Sequence, residues 1–137
     1  MTPALESRPA GPSPWRWLAG GLALAFGAAT LVEGGHTLFG GPAARAEAGE
    51  VVPFVLAFNF VAGLGYLAAG GATLAGRAWA VWAARGLAAA TLTVFAAFGA
   101  VVALGSPFER RTVVAMTVRA LFWVAQALVL PGLLRRR

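Results

Sequence analysis

The sequence predicts an all-α integral-membrane protein, a four-helix transmembrane bundle with both termini on the cytoplasmic side (N-in/C-in). Three observations predict it. Hydrophobic residues make up 59% of the 137 residues and charged residues only 12%, whereas a soluble domain carries about 25% charged residues. The few charges divide the chain into four long uncharged runs. Glycine and proline punctuate the boundaries between those runs, while Ala and Leu dominate inside them. The alternation a membrane β-barrel requires is absent.

The runs set the spans. Sixteen uncharged residues lie between Arg16 and Glu33, 26 between Glu50 and Arg77, 23 between Arg85 and Glu109, and 15 between Arg119 and Arg135. About 20 predominantly apolar residues are needed to cross about 30 Å of hydrocarbon as a helix. The second and third runs suffice alone. The first suffices if its helix continues past Glu33 toward Leu38, and the fourth if it starts near Thr112 and carries Arg119 inside. The expected spans are therefore 15–38, 52–75, 78–104 and 111–133. Residues 1–14 form a cytoplasmic tail and 134–137 a basic one.

Punctuation supports each limit. Pro12 and Pro14 precede the first span and Gly40-Gly41-Pro42 follows it. Pro53 opens the second, in a first turn where a missing N–H costs little. Gly76, Gly105-Ser106-Pro107 and Pro131-Gly132 close the second, third and fourth. The last two connections are short, so the last three spans are antiparallel neighbours. The first connection reads as the one long loop.

Arginine counting gives orientation. With the N-terminus inside, Arg8, Arg16, Arg77, Arg85, Arg135, Arg136 and Arg137 are cytoplasmic, against Arg45, Arg110 and Arg111 outside. Trp15, Trp17, Trp79 and Trp82 then make an aromatic belt at the inner interface. A signal peptide cut near Ala44-Arg45-Ala46 is the competing reading of the first run. Glu33, His36 and the Gly-Pro break put that site too far from the apolar stretch, so the helix is retained.

Composition also limits chemistry. The net charge is +6, from arginines and glutamates alone. Those arginines flank apolar runs and do not gather on one face, which argues against nucleic acid as a partner. The chain has no cysteine, excluding thiol catalysis and thiolate metal sites. One histidine, His36, cannot build a zinc site unaided. No metal or cofactor is expected, nor any catalytic residue. The expected partners are the lipid bilayer and a membrane-protein partner or a second copy of the chain.

Polar groups at membrane depth are costly and usually turn inward. Thr112, Met116, Arg119, Trp123 and Gln126 recur on one face of the fourth span, giving it a polar seam. At 1.5 Å per residue, Arg119 and Asn59 each lie about 12 Å from the outer end and Glu33 about 8 Å. The expected intramembrane polar cluster is Glu33, Asn59, Arg119 and Gln126, with a Glu33–Arg119 ion pair flanked by Asn59. His36, Glu109, Arg110 and Arg111 are candidate outer-face contacts, with Glu109 also suited to the positive N-terminus of the last helix. Asn59-Gly63-Tyr66-Gly70 and the pair Gly20 and Gly27 read as small-residue packing stripes. Thr91 and Thr93 are expected to bond back to their own helix carbonyls.

Three stretches, Phe58-Asn59-Phe60-Val61-Ala62-Gly63, Trp79-Ala80-Val81-Trp82 and Glu109-Arg110-Arg111-Thr112 running on to Arg119, resemble a group of uncharacterised small four-helix bacterial inner-membrane proteins. The resemblance covers the last three spans and implies the architecture, with no activity attached. Relatives often place a histidine late in the third span, where this chain has Ala100 and Val101.

Three functional readings follow, the last of them a membrane-embedded enzyme or cofactor carrier relying on His36 and Glu33. The first is a non-enzymatic accessory or interaction subunit of a membrane complex, favoured by short loops and small-residue stripes. The alternative is a small oligomeric transporter or channel component using Glu33, Asn59 and Arg119. A water-accessible cavity at Glu33 would favour the alternative.

Overall fold

The structure, a computed structural model, describes residues 11–135. The arginine counts at Arg8, Arg136 and Arg137 and most of the N-terminal tail fall outside that range. The described residues form five helices and no strand: α1 (Pro14–Phe39), α2 (Gly41–Ala48), α3 (Pro53–Leu74), α4 (Trp79–Ala103) and α5 (Arg110–Arg135). The four long ones are each apolar and long enough to cross a membrane. They match the expected spans to within a few residues. The long first connection is instead mostly helical: α2 occupies Gly41–Ala48.

Local chemistry accounts for the ends. The Ser13 side chain accepts the Trp15 N–H at the start of α1, the usual role of an N-cap serine. The C-termini of α3 and α4 close alike. Gly76 and Gly105 take φ of 68° and 99°, and the next residue's N–H returns to a carbonyl five residues earlier: Arg77 to Ala72 at 2.8 Å, Ser106 to Val101 at 3.0 Å. This is the paired closure a left-handed residue after the helix permits. Pro131 departs from expectation, because it lies inside α5, which continues to Arg135. One backbone hydrogen bond is lost there, but Leu130 is buried in the core with Leu133 and Leu134 packed against it. That packing holds the last turn in helix.

α1 and α3 make the closest contact in the bundle. Gly20 faces Gly70, Gly27 faces Gly63, and Gly34 faces Phe60, so the two helices run antiparallel. A Cβ added at Gly70 would stand 3.0 Å from the Gly20 carbonyl oxygen and from the Leu24 nitrogen. The expected glycine stripes are thus the contact surface. Without a hydrophobic driving force between helices in lipid, dispersion across such an approach is what holds them. The main core is correspondingly built from alanines (Ala23, Ala62, Ala69, Ala72, Ala80, Ala84 and Ala88) around Tyr66 and Trp123. A second cluster, Val52, Val55, Phe98 and Met116, fills the end where α3 begins and α4 ends.

α5 lays its polar seam inward as its periodicity requires. Met116, Arg119, Trp123 and Gln126 are buried, while Val114, Leu121 and Leu128 are exposed. Trp15, Trp17, Trp79 and Trp82 are all exposed and share one end of the bundle, since α1 and α4 both start there. The Arg16 and Arg85 guanidiniums lie 5.7 Å and 5.1 Å from the Trp17 and Trp82 rings.

Candidate functional site: a cavity at one end of the bundle

The end opposite the tryptophans contains a cavity of about 370 Å³, lined by the last turns of α1, by α2, and by the first turns of α3 and α5. Glu33, Asn59 and Arg119, from three different helices, all line it. His36, Glu109 and Arg111 line it too. Gln126 and Arg110 do not. Gln126 Nε2 donates to the Ala19 carbonyl at 2.9 Å and ties α5 to α1 deeper in the bundle. Arg110 is exposed at the start of α5.

The rim is built by α5 reaching over to α2. Arg111 Nη2 donates to the carbonyls of Ala48 at 3.0 Å and Glu47 at 3.3 Å. These are carbonyls of the last turn of α2, which carry partial negative charge and otherwise lack partners. The Glu109 carboxylate accepts the Glu50 N–H at 3.1 Å across the α2–α3 connection. Glu109 therefore bridges to that connection in addition to standing at the positive start of α5. Gly49 makes the approach possible: its φ is +76°, and a Cβ there would collide with the Glu109 carboxylate. The clasp thereby engages Glu109 Oε1 and Arg111 Nη2.

The floor is arranged differently. Arg119 is only 6% exposed, and its Nε is buried without a hydrogen-bond partner. The expected pair with Glu33 is not formed, because Glu33 lies exposed on α1 while the Arg119 guanidinium stacks 5.6 Å from the Phe26 ring centroid. Phe26 in turn stacks on Tyr66 at 5.5 Å and meets Phe122 edge-on at 5.1 Å. A desolvated cation–π contact contributes about 2 kcal/mol or more. An arginine at a helix centre costs about 2.5–3.5 kcal/mol on the insertion scale. The ring therefore offsets part of the cost and leaves hydrogen-bonding capacity free. Two further polar atoms at the cavity wall, Thr30 Oγ1 and Asn59 Oδ1, are also buried and unpartnered.

Beyond the cavity, Tyr66 Oη, Thr91 Oγ1 and Trp123 Nε1 are buried without partners, with Tyr66 facing Thr91, Trp123 and Arg119. Thr91 thus departs from the back-bonding expected of it. Thr93 follows it, donating to the Ala89 carbonyl at 2.8 Å. Among the described residues no group of three or more His, Cys, Asp or Glu side chains is placed to hold a metal ion.

The site residue the sequence did not single out is Glu47, which lines the cavity from α2. A signal for it exists. Pro42 after two glycines, followed by Ala43-Ala44-Arg45-Ala46-Glu47-Ala48, is a helix start with good helix formers. Comparison of the chain with protein families, with curated proteins and with solved structures finds no match.

Proposed function

We propose that the chain is a small multi-pass protein of a bacterial inner membrane that admits a polar solute to this cavity, acting as a transporter or channel component without covalent chemistry on the solute. The supporting observation is Arg119, a buried cation with unspent hydrogen-bonding capacity at the floor of a cavity that also holds Glu33 and Asn59. Helix packing alone does not require a hollow at a costly charge, since close-packed apolar side chains hold helices together. The arginine bias orients the chain N-in/C-in and so opens the cavity outward.

The absence of cysteine from the sequence makes the test direct. Ala115→Cys, on the cavity wall, is expected to react with a charged, membrane-impermeant thiol reagent added outside intact cells. Ala100→Cys, exposed along α4, is expected to stay unreactive behind lipid. An unreactive Ala115→Cys would refute the reading.

A second reading, a subunit of a larger membrane assembly or a homo-oligomer, is favoured by α4. Its exposed side carries Gly86, Ala89, Thr93, Ala96, Ala97 and Ala100, and a Cβ at Gly86 or Gly99 would meet nothing within 4 Å. Small residues turned toward lipid permit close approach by another helix. Replacing Ala89 and Ala96 by Leu should then release a co-purifying chain or lower the oligomeric state in mild detergent. An unchanged assembly would count against it.

A further inference from the structure

The cavity is graded in charge, and the gradation restricts what it can hold. Of the charged groups on its wall, Glu109 is engaged by the Glu50 N–H and Arg111 by the α2 carbonyls. The other three ionic side chains are held by no such bond to the protein among the described residues. Glu33 and Glu47 are exposed at the mouth and Arg119 is buried at the floor. A guanidinium only donates hydrogen bonds, whereas ionised carboxylates only accept them. The floor therefore calls for an oxyanion and the mouth for a cationic donor.

A simple anion would reach Arg119 only past two carboxylates, and a simple cation drawn in by those carboxylates would meet Arg119 below. A molecule with one group of each kind satisfies both ends at once. Resting on the solute-binding reading above, we infer that the cavity takes a small zwitterion, its acidic oxyanion on Arg119 and its ammonium toward Glu33 and Glu47. Thr30, 2% exposed with an unpartnered hydroxyl, and Asn59 supply neutral polar groups along the wall. The volume of about 370 Å³ lies at the low end of the range for small-molecule sites, about 300–1,000 Å³. Two sources offer this chemistry: free amino-acid-like solutes, and the phosphoethanolamine headgroup of a lipid.

The test uses the full chain carrying Ala115→Cys, reconstituted in nanodiscs of phosphatidylglycerol, a lipid without an amine. The readout is the rate of thiol labelling. Glycine, β-alanine, taurine and phosphoethanolamine are added singly, with acetate and ethylamine as the two half-ligands. Phosphatidylethanolamine is introduced in a parallel set of discs. At least one zwitterion is expected to slow labelling where neither half-ligand does. Glu33→Gln should weaken that protection by up to about fivefold, the effect of losing one exposed charge pair. Glu33 is exposed, so this variant keeps the fold whether or not Arg119→Gln does.

Protection by a soluble zwitterion in amine-free discs assigns a free solute. Protection only in the phosphatidylethanolamine discs assigns a headgroup. Equal protection by acetate or by ethylamine alone, or a labelled cysteine that no zwitterion protects, overturns the inference while leaving the solute-accessible cavity in place. An unlabelled cysteine overturns both.

Discussion

Adjacent glycines on α3 give the sharpest check on how the bundle is held. Gly70 and Gly71 differ only in which side of the helix they occupy. A methyl group at Gly70 would sit 3.0 Å from the Gly20 carbonyl oxygen and the Leu24 nitrogen, both main-chain atoms of α1, and 3.0 Å from Leu24 Cγ. Main-chain atoms cannot rotate aside, so α1 and α3 must separate by a few tenths of an ångström along their whole contact. Overpacking of this kind costs about 1–3 kcal/mol. Alanine recovers about 0.8–1.0 kcal/mol of helix propensity over glycine, leaving Gly70→Ala with a net loss of up to about 2 kcal/mol. At Gly71 a Cβ meets nothing within 4 Å, so only the propensity gain remains. The two variants should differ by the overpacking cost, about 1–3 kcal/mol. Gly63→Ala should fall between them, because its nearest neighbour is a side-chain atom, Leu31 Cγ at 2.9 Å, and the main-chain oxygen of Gly27 is farther away at 3.4 Å. Reversible unfolding in mixed micelles, followed by circular dichroism, measures all three. Equal stabilities for Gly70→Ala and Gly71→Ala would refute the close α1–α3 approach and the account of the core built on it.

Three further outcomes follow from the same contacts. Gln126→Leu should destabilise the bundle by about 0.6 kcal/mol and by no more than about 1.7, the measured range for interhelical hydrogen bonds in membranes; stability unchanged or increased would show that the 2.9 Å bond to Ala19 contributes nothing. Glu33→Gln and Arg119→Gln should be additive within about 0.5 kcal/mol in a double-mutant cycle, because Arg119 rests on Phe26 and not on Glu33; a larger coupling would restore the ion pair. Glu109→Ala should speed hydrogen exchange at the Glu50 amide, which its carboxylate holds, and Gly49→Ala should do the same by forcing that carboxylate away. Exchange unaltered in both would mean the clasp between α5 and α2 is not closed in solution.

Parts of this protein are legible residue by residue. The seam on α5 was readable because a helix repeats every 3.6 residues, so Met116, Arg119, Trp123 and Gln126 had to share a face whatever they met. Gly76 and Gly105 were readable as stops because a left-handed residue after a helix is cheap only for glycine. The glycine stripes on α1 and α3 announced a close approach before its partner was known. Pro131 reads locally as a stop, but the packing of Leu130, Leu133 and Leu134 holds the last turn on the core, and no local pattern shows that packing. The α2 segment reads along the chain only as a long connection between two spans. Its helix depends partly on Arg111, 63 residues away from Ala48, and no local pattern announces such a cap.

The sequence by itself thus determined four helices long and apolar enough to cross a membrane, most of their ends, and the inward faces of α1, α3 and α5. It also put Glu33, Asn59 and Arg119 at similar depths, since rise per residue is fixed. Only the tertiary structure decided what stands between those three residues. Depth is a property of one helix, but distance across a bundle depends on how each helix is rotated and on how closely its neighbours approach. Glycines draw α1 against α3, α2 folds over the end, and Phe26 is turned beneath the Arg119 guanidinium. The residues that arithmetic along the chain would pair therefore face each other across a cavity.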